Sequence, residues 1–76
     1  MRTQKEIENV INDLSAYKRV AVKLTDKEIC NAQIDVLRGI KKVSDFDGYK
    51  KDFKKAVRAA SDWMLGEILY ESALFE

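Results

Sequence analysis

Histidine and proline are missing from these 76 residues, cysteine occurs once and glycine three times. Without histidine the chain lacks the commonest general base and the usual metal-binding nitrogen. Serine–histidine and cysteine–histidine nucleophiles are excluded with it. A lone Cys30 rules out an internal disulfide and any Cys-x-x-Cys redox or metal pair, which favours a reducing, cytoplasmic setting. The glycines stand far apart, at 39, 48 and 66, so there is no glycine-rich phosphate loop. No apolar run approaches the roughly 18 residues of a membrane span. The polar opening MRTQKEIEN does not read as a signal peptide. No repeat of useful period is present.

What remains is a short, charge-rich chain with 46% hydrophobic and 36% charged residues, a globular rather than disordered composition. A chain of this size buries only about 60% of the surface its unfolded form exposes, so its stability depends on close helix packing or on association. The net charge of +1 is unevenly spread. Residues 1–37 are balanced. Residues 38–58 carry eight basic side chains (Arg38, Lys41, Lys42, Lys50, Lys51, Lys54, Lys55, Arg58) against Asp45, Asp47 and Asp52, for +5. Residues 59–76 carry Asp62, Glu67, Glu71 and Glu76, for −4. A basic middle followed by an acidic end is an asymmetry that bears on partners.

Three helical patterns follow one another. Thr3-Gln-Lys-Glu6 matches a capping box, and Ile7, Val10, Ile11 and Leu14 continue at helical spacing, with Tyr17 and Ala21 on the same stripe. Residues 17–24, YKRVAVKL, alternate at Val20, Val22 and Leu24 as a strand would. No second strand exists to pair with them, so helical or irregular backbone is the expectation. Thr25-Asp-Lys-Glu28 offers a second capping box. Beyond it Ile29, Ala32, Val36, Ile40 and Val43 share one side, and Cys30, Ile34 and Leu37 widen the arc, which suits a helix packed between two neighbours. Gln33 falls inside that arc and is expected to bond a backbone carbonyl from the edge of the core. The alternative is a residue that fixes the register or choice of partner. Cys30 reads as inert packing.

The connection Val43–Gly48 has turn chemistry. Its Asp45-Phe-Asp-Gly48 resembles the middle of a calcium-binding EF-hand loop, but the first ligand position would fall on Val43 and the last on Lys54. A turn with a helix cap is the better reading.

No proline interrupts the run from Phe46 to Phe75, which holds the only tryptophan and all three phenylalanines. Tyr49, Phe53, Ala56, Val57, Ala60, Trp63, Met64 and Ile68 form one face, whose mixture of small and large residues admits a neighbouring helix. The expected fold is all-α: one domain over residues 1–76, a small antiparallel three-helix bundle with helices near 3–19, 26–42 and 46–74.

Two surfaces are candidates for function. Trp63, Leu65, Leu69, Tyr70, Leu74 and Phe75 make the last turns apolar nearly all round, as at an interaction site whose aromatic anchors dominate binding. Covering by the first two helices is the intramolecular alternative. Gly66, read as mid-helix, costs about 0.5–1 kcal/mol relative to alanine and tilts the reading towards an interface. Lys50, Lys51, Lys54, Lys55 and Arg58 fall on one side of the third helix, where they would contact phosphate backbone or steer an acidic partner. A solvated face that keeps the protein in solution is the plainer account.

Carboxylates such as Asp62 and Glu67 show no paired, convergent arrangement, so chemistry is not expected, and neither a metal nor a cofactor is. In length, helical pattern and lack of histidine, the chain resembles the short helical proteins that bacteriophages encode to bind and block host machinery. That resemblance implies a non-enzymatic inhibitor. The expected function is therefore binding or occlusion of a partner protein, or self-association as a homo-oligomer, through the apolar C-terminal surface flanked by the basic face. Weak binding to a nucleic-acid backbone is the alternative, and no membrane partner is expected.

Overall fold

A computed structural model describes residues 1–66. Three helices, α1 (Gln4–Val20), α2 (Leu24–Leu37) and α3 (Lys51–Met64), form a small three-helix bundle, with a single 3-10 turn at Val43–Phe46 ahead of α3. Among the described residues there is no strand. None of the described helices is long and apolar enough to cross a membrane.

The expected capping box starts α1. Thr3 Oγ1 accepts from the Glu6 amide at 3.2 Å, and Glu6 Oε1 accepts from the Thr3 amide at 3.2 Å. These bonds satisfy two of the donors that a helix start leaves open. Hydrogen bonds from Thr3, first from its backbone and then from its side chain, hold the Glu6 carboxyl below the usual range, with Arg2 adding to the effect. Lys18 and Arg19 occupy the last turn, where positive charge complements the helix dipole.

The chain then reverses over Ala21–Lys23. Residues 17–24 resolve into the end of α1, a three-residue connection and the first residue of α2. The second expected capping box does not form. α2 begins at Leu24, one residue ahead of Thr25, and its N-cap is Lys23, which makes no side-chain cap bond. Thr25 therefore lies inside the first turn, where its hydroxyl cannot serve as the cap.

α2 is the middle layer, as the breadth of its apolar arc implies. One flank, Cys30, Ile34 and Leu37, packs against Ile7, Val10, Ile11 and Leu14 of α1 and reaches Ala60 and Trp63 of α3. The other flank, Ala32 and Val36 with the half-buried Ile29, packs against Phe46, Phe53 and Val57. Between the flanks Gln33 is 2% exposed, and its Nε2 donates to the Ala56 carbonyl at 3.1 Å. This is the backbone-bonded core amide the sequence suggested, and it ties α2 to α3 without leaving a buried polar atom unsatisfied.

Both of the later helices stop earlier than their periodicity implies, and for the same reason. Gly39 sits just past the end of α2 at φ +77°. Its N–H donates to Val36 O at 3.1 Å, and the Ile40 N–H donates to Asp35 O at 3.0 Å. This is the paired bonding of a Schellman stop. Ile40 is thereby turned out of the core to 66% exposure, although its spacing places it on the apolar face. Gly66 repeats the device after α3 at φ +86°, with its N–H on Trp63 O at 2.9 Å. Gly66 is a stop signal and not a mid-helix contact, and α3 does not run on to residue 74. α3 also starts later than expected, at Lys51, because residues 43–46 form the 3-10 turn, in which the Asp45 carboxylate accepts from the Lys42 amide at 2.8 Å.

The end of α3 is closed by the start of the chain. The Arg2 N–H donates to Met64 O at 2.9 Å and Arg2 Nε to Trp63 O at 3.1 Å. The Arg2 guanidinium lies 5.2 Å from the Trp63 ring centroid. One residue thus serves two helix-end carbonyls, through its backbone amide and its side chain, and its guanidinium also meets a π face.

Two stability outcomes follow. Thr3→Ala is expected to cost about 1 kcal/mol in chemical denaturation. Because the folded Glu6 pKa lies below its unfolded value, the part of that gap owed to ionised Glu6 is fully present above the ordinary carboxylate range. It is lost as pH falls through and below that range, so the two proteins converge on acidification. Gly39→Ala meets open space, with nothing within 4 Å of the added carbon. Its cost, about 1–2 kcal/mol, is expected to come from the left-handed backbone alone, and a denaturation midpoint equal to wild type would contradict the stop assigned to Gly39.

Candidate interaction surfaces

On α3, Phe53, Val57, Ala60 and Trp63 are buried. Lys51, Lys54, Lys55 and Arg58 recur three, four and seven residues apart, so they share one stripe on the opposite side of the helix. All four are exposed, as is Lys50 at the N-cap. Among the described residues none of these five cations forms an ion pair. Lys50 and Lys51 also stand at the positive end of the helix dipole, where a cation opposes the helix and only Asp52 in the first turn complements it. Among the described residues the stripe is therefore a concentration of charge without ion-pair partners.

The connection ahead of α3 adds to this surface. Lys41 Nζ lies 5.5 Å from the Phe46 ring centroid. Tyr49 bridges Phe46 and Phe53, at centroid distances of 5.0 and 5.4 Å. Phe46 and Phe53 are buried, whereas Tyr49 remains 47% exposed. An aromatic edge thus sits next to Lys50 and Lys51 in sequence, held in place by its two buried neighbours. Sequence reading assigned Tyr49 wholly to the core.

The apolar C-terminal cluster divides. Trp63 is 3% exposed and packs with Ile7, Leu14, Ile34 and Ala60. Its ring belongs to the core, and the sequence-based assignment of Trp63 as a docking anchor is corrected on that ground. Leu65, the C-cap of α3, is 50% exposed and stays available at the surface. Leu69, Tyr70, Leu74 and Phe75 lie outside the described residues.

Cys30 is buried within the α1–α2 cluster, and burial, with Asp26 adding to it, pushes its thiol pKa up. A thiol held protonated is a poor nucleophile. Among the described residues no group of three or more cysteines or carboxylates is placed to hold a metal ion.

The structure also shows a surface that periodicity does not identify. At the α1–α2 connection Val20, Val22 and Leu24 are 75%, 95% and 70% exposed. Their alternation was visible in the sequence, and the signal lay there: an apolar alternation with no partner strand among the described residues is an apolar surface that those residues leave exposed.

No protein-family model matches this chain, and no curated protein or solved structure is significantly similar to it. Its own surfaces carry the functional argument.

With a single tryptophan in the chain, intrinsic fluorescence tests the division of the C-terminal cluster. Folded protein is expected to show blue-shifted emission that iodide quenches poorly, with a red shift and full quenching on unfolding. Red-shifted, readily quenched emission from the folded protein would return Trp63 to the surface.

Proposed function

We propose that this chain is a non-enzymatic binding module that docks on and occludes a partner protein, with the lysine face of α3 meeting an acidic surface on that partner. The observation that carries the reading is the exposed stripe Lys51, Lys54, Lys55 and Arg58, extended by Lys50 at the N-cap and without an ion-pair partner among the described residues. Charge held in this way accelerates encounter with an oppositely charged surface and rejects like-charged ones. Leu65 borders the stripe's C-terminal end at half exposure. In this reading Leu69, Tyr70, Leu74 and Phe75 supply apolar anchors beyond it, and an acidic rim of Glu67, Glu71 and Glu76 follows. The size, the helical fold and the histidine-free sequence suit occlusion of a partner in the manner of a phage-encoded inhibitor.

A second reading has one observation in its favour. Tyr49 is half-exposed and is held by Phe46 and Phe53 next to Lys50 and Lys51. Lysines beside an aromatic face are the elements that bind a nucleic-acid strand, by phosphate contact and base stacking.

The test compares wild type with the charge-reversed variant K51E/K54E/K55E/R58E, whose changes are all on exposed positions. Immobilised proteins are exposed to nuclease-treated cell lysate at low and high salt. A defined polypeptide retained by wild type and lost with the variant is the expected result. Retention that is indifferent to charge reversal would overturn the role of the stripe. In parallel, anisotropy of labelled duplex DNA measures the second reading. Five phosphate contacts would give a log–log salt slope of roughly −4.5, and an absence of binding at low salt would remove that reading. Light scattering at the same two salt concentrations identifies self-association, in which the captured polypeptide is a second copy of the chain.

A further inference from the structure

The turn between α1 and α2 carries an apolar tip that neither surface above includes. Only Ala21–Lys23 separate the two helices. Ala21 and Lys23 are both extended, at φ/ψ −67°/133° and −79°/133°. Val20, Val22 and Leu24 are exposed at and beside this short turn, while Ala21 between them is partly covered. Val22, at 95% exposure, is as open to solvent as a side chain in an unfolded chain. Three branched aliphatic residues left uncovered at the apex of a helical hairpin require a physical reason, because each forgoes the burial that stabilises a small domain.

Charge around the tip indicates what would cover it. From residue 19 to residue 24 the chain carries Arg19 and Lys23, both exposed, and no acid. Lys18 and Lys27 follow at partial burial, with Lys18 Nζ held by Asn31 Oδ1 at 2.7 Å. Asp26 and Glu28 come only further along α2. One helical turn below Val20, Tyr17 is 45% exposed. The turn therefore combines exposed aliphatic side chains with interleaved cations, and an amphipathic aromatic lies one helical turn away. An anionic lipid interface offers the complementary pair, acyl chains beneath negatively charged headgroups. A repeated copy of the same tip is disfavoured, since it would bring Arg19 and Lys23 against themselves. A protein cavity would have to match the protrusion in shape, whereas acyl chains accommodate any apolar projection.

We propose that the α1–α2 tip is a peripheral membrane-binding element, inserting Val20, Val22 and Leu24 into the acyl region of an anionic bilayer with Arg19 and Lys23 at the headgroups. The association is interfacial, and it is compatible with the described helices being unable to span a bilayer. It uses a different surface from the lysine stripe of α3, and it stands or falls separately from the partner-binding reading.

The test places an environment-sensitive fluorophore at the tip through Val22→Cys. Labelling is selective because the native Cys30 is 3% exposed. Vesicles of phosphatidylcholine alone and of phosphatidylcholine enriched in phosphatidylserine are titrated at low salt. The expected result is a blue shift of the probe and its protection from an aqueous quencher with the anionic vesicles only. Co-sedimentation of unlabelled protein with the same vesicles is expected to weaken about tenfold or more for Val22→Asp, the loss of one buried aliphatic side chain plus the insertion of a charge. It is expected to weaken for the pair R19E/K23E as well. The substituted positions are exposed, so unchanged circular dichroism is expected to show that each variant folds. No probe shift with anionic vesicles would overturn the proposal. Vesicle binding that survives Val22→Asp would overturn it too, and would assign any lipid affinity to the lysine stripe instead.

Discussion

Everything in this fold depends on α2 having two apolar flanks separated by one polar residue. α1 and α3 are joined to each other mainly through it: Cys30, Ile34 and Leu37 pack against α1 and reach Ala60 and Trp63 of α3, whereas Ala32 and Val36 pack against Phe46, Phe53 and Val57. Gln33 occupies the seam between the flanks and spends its amide on the α3 backbone. Since a small domain has little buried area in reserve, a middle helix that is covered on both sides makes the most of a 14-residue segment. The arrangement also fixes what is left for function. With both apolar flanks of α2 committed to packing, the surface left for partners lies mainly on the outer faces of α1 and α3, the connections between helices and the first turn of α2.

Those outer surfaces are chemically distinct. α3 presents uncompensated positive charge near its N-terminal end, and the α1–α2 connection presents aliphatic side chains with cations beside them. Neither arrangement favours the isolated folded state. Lysines at the positive end of a helix dipole oppose it, and exposed valines give up burial. Features that cost stability without serving packing are where binding is to be sought. The buried thiol, the satisfied glutamine and the core tryptophan have packing explanations and drop out of the functional argument.

Much of the fold was legible in the sequence. The Thr3–Glu6 cap was readable because its chemistry is local, involving residues three apart. The double-sided nature of α2 was readable because the width of an apolar arc directly reflects how many neighbours a helix has. Helix ends were less legible. Gly39 and Gly66 act through a positive φ, a backbone property to which hydrophobic periodicity is blind, so the pattern ran on through Ile40 and past Gly66. Thr25 was misread because the capping motif is also compatible with a helix that has already begun one residue earlier. Periodicity likewise places Trp63 on the core face, and its reassignment to an interface came from neighbouring residues on other faces of the same segment. The apolar tip was the least legible feature, because spacing reveals which side chains travel together and says nothing about whether another element covers them.

The side-chain bond from Arg2 to Trp63 in the last turn of α3 joins positions 61 residues apart. Most of the remaining helix packing links helices that follow one another in the chain, through connections short enough to form early. A contact that closes so long a loop must wait until the intervening helices have found one another, and it is made by groups near the surface. Order in the last turn of α3 is therefore conferred from the opposite end of the described chain. In hydrogen exchange the first residues and the carboxyl end of α3 would open and close together as one cooperative unit, separate from the α1–α2 hairpin. Strain applied at the first residues would be registered at the carboxyl end of α3 before it reached the middle helix.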